Sequence, residues 1–373
     1  MYVVTAGHGA VIYRRSRYCT RSADLQFVDA DSFGASVRAW AESLPVKGGA
    51  VPVLPLSDRL VESLHGARHT FAPRFELGIP PPEAAAVLLN KSHALRLARD
   101  AGLDVPRWVD VCSDDDLPLV DTLTFPVAVR PQSWSTVGSV YFKVAVYRER
   151  QLLAQDLPVM LGRGARLVVQ EYVDAPDEAV EFSILWRSRD RLVTAQCTGR
   201  KRRQASAQGG VMVWGETAHL PDVVDAASVF LEASGFVGLG GIEFIRSAGK
   251  LWFIEFNPRL EAIHFLAARA GIDTVEMAYR ELALGQVPSA VPRQSAAAAW
   301  VGSAALNRLV QERSDWRLLA ADRLRFQRAS NRTRAVWTWQ DPLPGLMVAG
   351  RLLSRGTRSL RGRGSRRGRG QEG

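Results

Sequence analysis

The feature that most constrains the fold is a pair of apolar runs interrupted by acids, GGIEFIRSAGKLWFIEFNP, at residues 240–258. This density of Phe, Ile and Trp favours β-strands, and the Ala-Gly-Lys segment between the runs predicts a tight hairpin. Side chains alternate along a strand, so Glu255 and Asn257 are expected on one face. The opposite, apolar face is then expected to contain Trp252, Ile254 and Phe256.

The length of the hairpin loop decides where the acid of the first strand lies. A three-residue loop over 248–250, with Gly249 in the left-handed conformation, places Glu243 opposite Glu255. A two-residue turn would instead send Glu243 to the other face of the sheet. We expect the three-residue loop, which brings two carboxylates close to the amide oxygen of Asn257.

Two acids directly across a strand pair destabilise the sheet unless a positive charge lies between them. Hard oxygen ligands on rigid strands suit a Mg²⁺ ion that holds substrate phosphates. Glu243, Glu255 and Asn257 are therefore candidate metal ligands, and Arg259 just beyond the strand can reach phosphate or a developing oxyanion. The alternative is an ordinary hairpin with two exposed acids and an Asn-Pro exit turn.

Three basic sites favour the phosphate hypothesis. Arg130 lies in the apolar strand FPVAVRP (125–131), where a lone cation is costly unless it meets an anion. Lys91 follows Asn90, the expected cap of a helix whose N-terminus favours a nearby phosphate. The run GRKRRQ (199–204) places four cations beside an expected strand end. Together with the acids, these cations suggest a polyphosphate bound with a metal.

The order of elements predicts an α+β protein with mostly antiparallel sheets. Residues 1–85 read as a small α/β unit that contains a Gly7-His8-Gly9 turn, which is weak evidence for a phosphate loop because the third glycine is missing. A hairpin is predicted over 182–200, and QGGVMVWGET (208–217) is expected to be a glycine-bearing loop.

Composition excludes several classes of protein. No run approaches the length of apolar sequence that spans a bilayer, and the three cysteines are too far apart to indicate a disulfide framework or a zinc site. The N-terminus lacks the order of a signal peptide, so a cytoplasmic location is expected. Much of the net charge of +10 comes from residues 351–373, which hold eight arginines and one acid. The Arg/Gly-rich tail (354–373) is predicted to be disordered, either contacting nucleic acid or another anionic partner or only aiding solubility.

Taken in order, these motifs resemble the ATP-grasp superfamily, and within it the carboxylate–amine ligase branch related to D-alanine ligases and carbamoyl-phosphate synthetases. The resemblance begins at the lysine-bearing helix start (89–106) and continues through the Arg-Pro strand and VQEYV (169–173). It ends with IEFNPR (254–259) and the aliphatic helical segment behind it, which reaches residue 285. It implies an N-terminal Rossmann-like pre-ATP-grasp domain (1–85), a two-lobed ATP-grasp domain (86–290) and a helical C-terminal extension (291–353). The extension would cover the active site or support a homodimer.

The resemblance implies ATP and Mg²⁺ or Mn²⁺ as cofactors and assigns roles to the matching residues. The metal would be held by Glu243, Glu255 and Asn257. The phosphates would be bound by Lys91 and Arg130, and Arg259 would steady the transferred phosphate or the acyl phosphate. The adenine would be lined by Gln170, Glu171, Tyr172 and Val173.

The residues for the ribose and for the substrate match the family pattern less closely. Asp177 would meet the ribose hydroxyls, with Glu178 as a competing candidate. The basic run around Lys201 and Arg202 would recognise a substrate carboxylate or phosphate, with at least one of its members serving catalysis. Two departures from the family pattern occur, because the loop QSWSTVGSVY (132–141) has a single glycine and Ala175 stands where a hinge glycine is usual.

The function implied is an ATP-dependent ligase that joins a small-molecule carboxylate to an amine through an acyl phosphate, releasing ADP and phosphate. Two alternatives remain. One is a carboxylase that activates bicarbonate as carboxyphosphate. The other is a non-catalytic ATP-binding module that the Arg/Gly tail attaches to nucleic acid.

Overall fold

The computed structural model of the 373-residue chain describes residues 1–5, 12–25, 29–46, 49–71, 73–136, 142–206, 209–295, 298–302, 316–329 and 331–350. The Gly7-His8-Gly9 turn, the second half of the loop at 132–141 and the Arg/Gly tail lie outside these ranges. Within them, no helix is long and apolar enough to cross a membrane.

The described residues of the N-terminal unit form short parallel strand pairs and two α-helices. Its elements are β1 (Tyr2–Thr5), β2 (Arg21–Asp24), α1 (Ala30–Glu42), β3 (Val51–Val53), α2 (Asp58–Gly66) and β4 (Phe75–Leu77). The pairs β1–β2 and β3–β4 are each parallel, which agrees with the α/β character predicted for this unit. Phe33 of α1 packs with Val61 and Leu64 of α2 in a shared core. Ser57 caps α2 by accepting from the Leu60 N–H, so the helix starts at a fixed residue.

A four-stranded antiparallel sheet follows, in the order β5-β8-β6-β7. The elements of this part are α3 (Pro82–Leu88), α4 (Lys91–Asp100), β5 (Trp108–Val111), β6 (Val127–Pro131), β7 (Ala145–Tyr147), α5 (Arg150–Gly162) and β8 (Leu167–Glu171). Helix α4 begins as predicted, because the Asn90 side chain accepts from the His93 N–H. Gly102, with φ of +87°, lies just past its end.

A seven-stranded sheet in the order β13-β12-β9-β10-β11-β14-β15 forms the centre of the molecule. Its elements and the helices around it are β9 (Val180–Arg187), β10 (Thr194–Ser206), β11 (Gly209–Thr217), α6 (Pro221–Ser234), β12 (Gly238–Ser247), β13 (Lys250–Asn257), α7 (His264–Arg269), α8 (Thr274–Leu284), β14 (Ala298–Val301), α9 (Trp316–Arg328) and β15 (Asn331–Arg334). All of its pairings are antiparallel except β14–β15, which confirms the mostly antiparallel α+β prediction.

The expected loop at 208–217 is wrong. This segment is strand β11, paired with β10 on one side and β14 on the other. The run from Val211 to Trp214 has strong β-propensity, and the backbone hydrogen bonds to two neighbouring strands outweigh the three glycines, two of which lie at the start of the strand. The basic run at 199–204 consequently lies inside β10 and not beside a strand end.

The helical prediction for the C-terminal extension is incomplete. Besides α9, this part of the chain contributes β14 and β15, which extend the central sheet beyond β11. The alanine-rich stretch that contains β14 has good helix propensity, but the free edge of β11 offers unpaired backbone groups that a strand satisfies. Tertiary pairing therefore decides the structure of this stretch.

Candidate active site

The hairpin of β12 and β13 turns over two residues, and the predicted three-residue loop is wrong. Ser247 pairs with Lys250, and the turn residues Ala248 and Gly249 both have positive φ, at 51° and 76°. Such turns match the natural twist of a β-hairpin. Glu243 nevertheless faces Glu255, as predicted, because the register shifts along the hairpin between Phe244 and Glu243.

The shift is a β-bulge at Ile254, the residue of β13 that has no opposite partner. Before the bulge, Phe253 faces the core, and after it Phe256 does, because one extra residue reverses the alternation. Both rings lie against Phe230 of α6, with centroids 4.9 and 5.2 Å away. The predicted apolar face of Trp252, Ile254 and Phe256 is therefore wrong at its first two positions. Without the bulge, Glu255 would share the buried face of Phe253.

Glu255 is largely buried among cations. Its carboxylate lies 3.6 Å from Arg130 and 3.6 Å from Lys143, and the Asn257 side-chain amide is 3.4 Å away. Burial alone would raise the pKa of Glu255, but the positive charges of Lys143 and Arg130, followed by Lys201, lower it well below its usual value. The carboxylate is thus held ionised, as a metal ligand must be.

Arg130 is buried and holds several groups of the site together. Its guanidinium donates to the Gln170 Oε1 atom at 2.6 Å and to the carbonyl oxygen of Ile254 at 3.3 Å, so it also anchors the bulge. Burial lowers the pKa of Arg130, although Glu255 and Glu243 oppose that effect. Two buried donors here, Arg130 Nε and Gln170 Nε2, have no hydrogen-bond partner within the described part of the chain. Unpaired buried donors are costly, and an anionic or polar ligand would satisfy them.

Glu243, the facing acid, is held by the basic strand β10. Its carboxylate accepts from the Lys201 ammonium group at 2.6 Å, and Lys201 is only 3% exposed. Lys201 also donates to the Gly210 carbonyl oxygen at 3.2 Å. Arg202 points elsewhere and pairs with Glu216, so the structure brings one of the two predicted basic residues, Lys201, to the acids.

Arg259 lies at the exit of β13 in a second cluster of charges. It donates to Asp58 of α2 at 2.5 Å and contacts Glu261 at 3.4 Å and the Asn257 side-chain oxygen at 3.3 Å. Burial would lower the pKa of Arg259, but Glu261 and Asp58 outweigh it and raise that pKa. Burial raises the pKa of Glu261 to about 7 in spite of Arg259.

Lys91 approaches the same cluster from the start of α4. Its backbone N–H donates to the Gln132 carbonyl oxygen at 2.8 Å, which ties α4 to the loop after β6. Burial and the charge of Arg130 lower the pKa of Lys91, whereas Glu255 and Asp58 raise it. Four cations, namely Lys91, Arg130, Lys143 and Lys201, thus surround the acids Glu243 and Glu255.

The predicted adenine and ribose contacts lie along and beyond β8. Glu171 accepts from the Thr124 N–H at 2.9 Å, and the Tyr172 N–H donates to the Pro126 carbonyl oxygen. Val173 follows Tyr172 and is half-buried. Asp177 accepts from the backbone and the side chain of Gln204, both at 3.1 Å. These contacts place the segment against β6 and β10, and its role toward a nucleotide stays a prediction.

Three residues of the site were not predicted from the sequence: Lys143, Glu261 and Glu62. Lys143 could have been noticed as a cation in the apolar run VYFKVAVY, by the argument applied to Arg130. Glu261 is a third acid just beyond the NPR motif. Glu62 of α2 accepts from the Trp134 N–H at 2.9 Å and from the Ser135 N–H at 3.0 Å, a contact between distant segments that no local pattern signals.

The donor set fits a hard cation with few protein ligands. Within the described ranges, no three or more His, Cys, Asp or Glu side chains form a group that could hold a metal. Two facing carboxylates and the Asn257 oxygen remain, which suits Mg²⁺, an ion that usually keeps waters and substrate phosphates as its other ligands. The two unpaired donors of Arg130 and Gln170 fit the nucleotide that would accompany such an ion.

Comparison with solved structures finds similar folds at low sequence identity. An N5-carboxyaminoimidazole synthetase from Staphylococcus aureus, complexed with ADP, matches with a TM-score of 0.62 at 12% identity, covering 84% of this chain and 79% of that one. A biotin carboxylase from Campylobacter jejuni matches with a TM-score of 0.58 at 16% identity over 79% and 68% of the two chains. An L-amino acid ligase from Bacillus licheniformis matches with a TM-score of 0.53 at 15% identity over 71% and 63%. Neither the protein-family models nor the curated proteins gave a match.

Proposed function

The chain has the ATP-grasp fold, and from this premise we propose that it is an ATP-dependent ligase that joins a carboxylate to an amine. The observation that carries the proposal is the facing pair Glu243 and Glu255. Glu255 lies beside Asn257, and both acids lie among four cations from separate segments of the chain. This arrangement suits a metal-bound polyphosphate.

The reaction needs positioning and charge neutralisation more than a covalent enzyme group. The substrate carboxylate attacks the γ-phosphate of ATP, forming an acyl phosphate and ADP. The amine then attacks the acyl carbon, and phosphate leaves as the C–N bond forms. Phosphoryl transfer of this kind depends mainly on fixed charges, and the cluster contains charges of both signs at short range.

The residues divide between the two ends of the nucleotide. Lys91, Arg130 and Lys143 would neutralise the phosphates, and Glu243, Glu255 and Asn257 would hold Mg²⁺. A bound Mg²⁺ would orient the transferring phosphate and spread its negative charge. The segment from Gln170 to Asp177 would line the adenine and ribose.

Two further cations would act on the substrate side. Arg259 is kept charged by its two acidic neighbours and would steady the acyl phosphate. Lys201 would meet a substrate carboxylate or phosphate once a metal takes over Glu243. Arg202, whose guanidinium pairs with Glu216, would act from farther away and is the weaker of the two predicted candidates.

The test is substitution of Glu255 by Gln, which keeps the shape of the side chain and removes its charge. In E255Q, we expect ADP formation from ATP, Mg²⁺ and an active substrate pair to fall by about 100-fold or more. The substrate pair would come from a screen of carboxylates and amines for ADP release, with the product identified by mass spectrometry. Bicarbonate is one arm of the screen, and ADP release that needs bicarbonate but no amino acid would favour the carboxylase alternative.

E276Q is the matched control, because Glu276 is an exposed acid on α8 whose one ion pair among the described residues is with its neighbour Arg280. We expect this variant to retain full activity, and both variants to keep the wild-type far-UV circular dichroism. Undiminished turnover in E255Q would contradict the proposal. ATP binding without turnover on any pair would favour the non-catalytic alternative.

A further inference from the structure

A second concave site lies away from the candidate active site, between α7, α9 and β15. Its volume is about 250 Å³, slightly below the roughly 300–1,000 Å³ of pockets that hold drug-sized ligands. We name it the Trp-Arg pocket. Its lining consists of Arg269, Phe326, Arg332, Thr333, Arg334, Trp337, Thr338, Trp339 and Gln340.

The lining of the Trp-Arg pocket is strongly basic. It contains three arginines and no acid, and none of the three has an ion-pair partner in the part of the chain that the structure describes. Arg332 and Arg334 lie on the same face of the edge strand β15, with Thr333 buried between them. Their guanidiniums are held in place, because Arg332 donates to the Gln327 carbonyl oxygen at 2.9 Å and Arg334 lies 5.3 Å from the Phe326 ring.

The aromatic side chains of the pocket separate it from an ordinary basic surface. Charged residues on an edge strand can be explained as protection against strand pairing, but that explanation does not extend to tryptophan. Trp339 is 88% exposed, and its ring lies edge-on to Trp337 with centroids 6.0 Å apart. An indole with an open face can stack a flat aromatic group while the neighbouring guanidiniums, which form no ion pair within the described residues, bind its charge.

We propose that the Trp-Arg pocket binds single-stranded nucleic acid, with a base stacked on Trp339 and backbone phosphates on Arg332 and Arg334. Stacking platforms combined with cations are the usual means of binding single strands without sequence preference. The basic surface also extends beyond a single nucleotide. Arg325 and Arg328 lie exposed in the last turn of α9, the helix that contributes Phe326 to the pocket. A chain of phosphates therefore matches this surface better than a free nucleotide.

The test is fluorescence anisotropy with labelled 12-mers of uridine and of deoxythymidine. At 50 mM salt, we expect the full chain to bind them with a Kd on the order of 10 µM, and more weakly at 200 mM salt. W339A should weaken binding by about fivefold or more, since one stacked base contributes roughly 1–3 kcal/mol. R332A should weaken binding and reduce the slope of log K against log salt by about one. Competition with free AMP distinguishes a strand from a single nucleotide as the ligand.

Two neighbouring residues on α8 provide matched controls. Tyr279 is an exposed aromatic residue and Arg280 an exposed arginine, so Y279A and R280A remove the same kinds of group elsewhere on the surface. We expect both controls to bind as the wild type does. The proposal is overturned if the full chain fails to bind either 12-mer at 50 mM salt. It is also overturned if W339A binds as tightly as the wild type, or if AMP at equal nucleotide concentration displaces the 12-mer fully.

Discussion

Glu261 is a buried carboxyl group with charges of both signs around it. Its side chain is only 15% exposed, and one oxygen lies so close to the backbone of Gly241 that a β-carbon there would come within 2.3 Å. Burial raises its pKa to about 7, and the charges of Glu243 and Glu255 add to that effect while Arg259 opposes it. The ordinary pKa of a glutamic acid is about 4.3, so the folded protein binds a proton there that the unfolded chain has lost.

This difference predicts how stability changes with pH. Between about pH 4.5 and pH 7, the folded state holds more protons at Glu261 than the unfolded state, so the free energy of unfolding falls as pH rises. Above pH 7 this contribution levels off. The total is at most about 3.7 kcal/mol. In E261Q this contribution is absent, so the stability of E261Q relative to the wild type should increase from pH 4.5 to pH 8, measured by urea unfolding.

E276Q serves again as the control, because Glu276 is exposed on α8. The stability of E276Q relative to the wild type should stay nearly constant over the same pH range. If the difference in unfolding free energy between E261Q and the wild type does not change with pH, Glu261 is ionised in the folded state over the whole pH range. The pKa of Glu261 would then be ordinary, and its burial would be offset by Arg259.

At the level of single residues, the sequence predicted the acids better than their surroundings. Glu243, Glu255 and Asn257 could be identified because polar groups in an apolar hairpin are unusual. The cations that hold these acids come from other segments of the chain. Lys201 lies on β10 and reaches Glu243 across β9 of the same sheet, whereas Lys143 precedes β7 of the four-stranded sheet. The spacing of residues along one strand carries no information about either arrangement.

The hairpin of β12 and β13 has the expected pairing of Glu243 with Glu255, but a β-bulge produces it and not the expected loop length. The assumed three-residue loop predicted that Glu243 faces Glu255, and alternation placed Asn257 on the face of Glu255, but alternation also placed the wrong residues in the core. Bulges are frequent beside active sites because they re-aim a side chain, and here the bulge at Ile254 turns Glu255 away from the core. The anchor for the bulge is Arg130, a residue 124 positions earlier in the chain.

The bulge predicts an unusual order of mutational effects on the hairpin. F253A should reduce the free energy of unfolding by about 3–5 kcal/mol, because Phe253 is fully buried against Phe230 and Phe244. I254A should cost only about 1 kcal/mol, since Ile254 is half-buried and lies outside the core cluster. Equilibrium denaturation of both variants measures the two values.

Simple alternation makes the opposite prediction, with Ile254 in the core and Phe253 on the other face. A larger loss of unfolding free energy for I254A than for F253A would therefore show that the strand has no bulge in solution.

Helix α4 and its Asn90 cap could be predicted because local signals agree with the structure there. Strands β14 and β15 could not, because each pairs with a strand that is distant in the sequence, and the glycines of β11 obscured its pairing with the preceding strand β10.

At the scale of the whole molecule, helix α2 of the N-terminal unit connects two parts of the candidate active site. Asp58 and Glu62 lie one turn apart on α2. Asp58 binds Arg259 at the exit of β13, and Glu62 accepts from the Trp134 and Ser135 N–H groups in the loop after β6. Arg59 adds a contact, with its guanidinium 5.6 Å from the Trp134 ring. The N-terminal unit thus holds Trp134 and Ser135, the first part of the loop after β6.

This connection predicts that one carboxylate on α2 controls the mobility of the loop. Hydrogen bonds to a charged acceptor contribute about 1.5–3 kcal/mol, so E62A should speed the hydrogen exchange of the Trp134 and Ser135 amides by roughly 10- to 100-fold. In E42A, which removes an exposed acid of α1 that pairs with Arg38, the exchange of these amides should stay unchanged. Exchange measured by NMR or mass spectrometry compares the variants. Equal rates in E62A and the wild type would mean that the loop keeps its own conformation without the N-terminal unit.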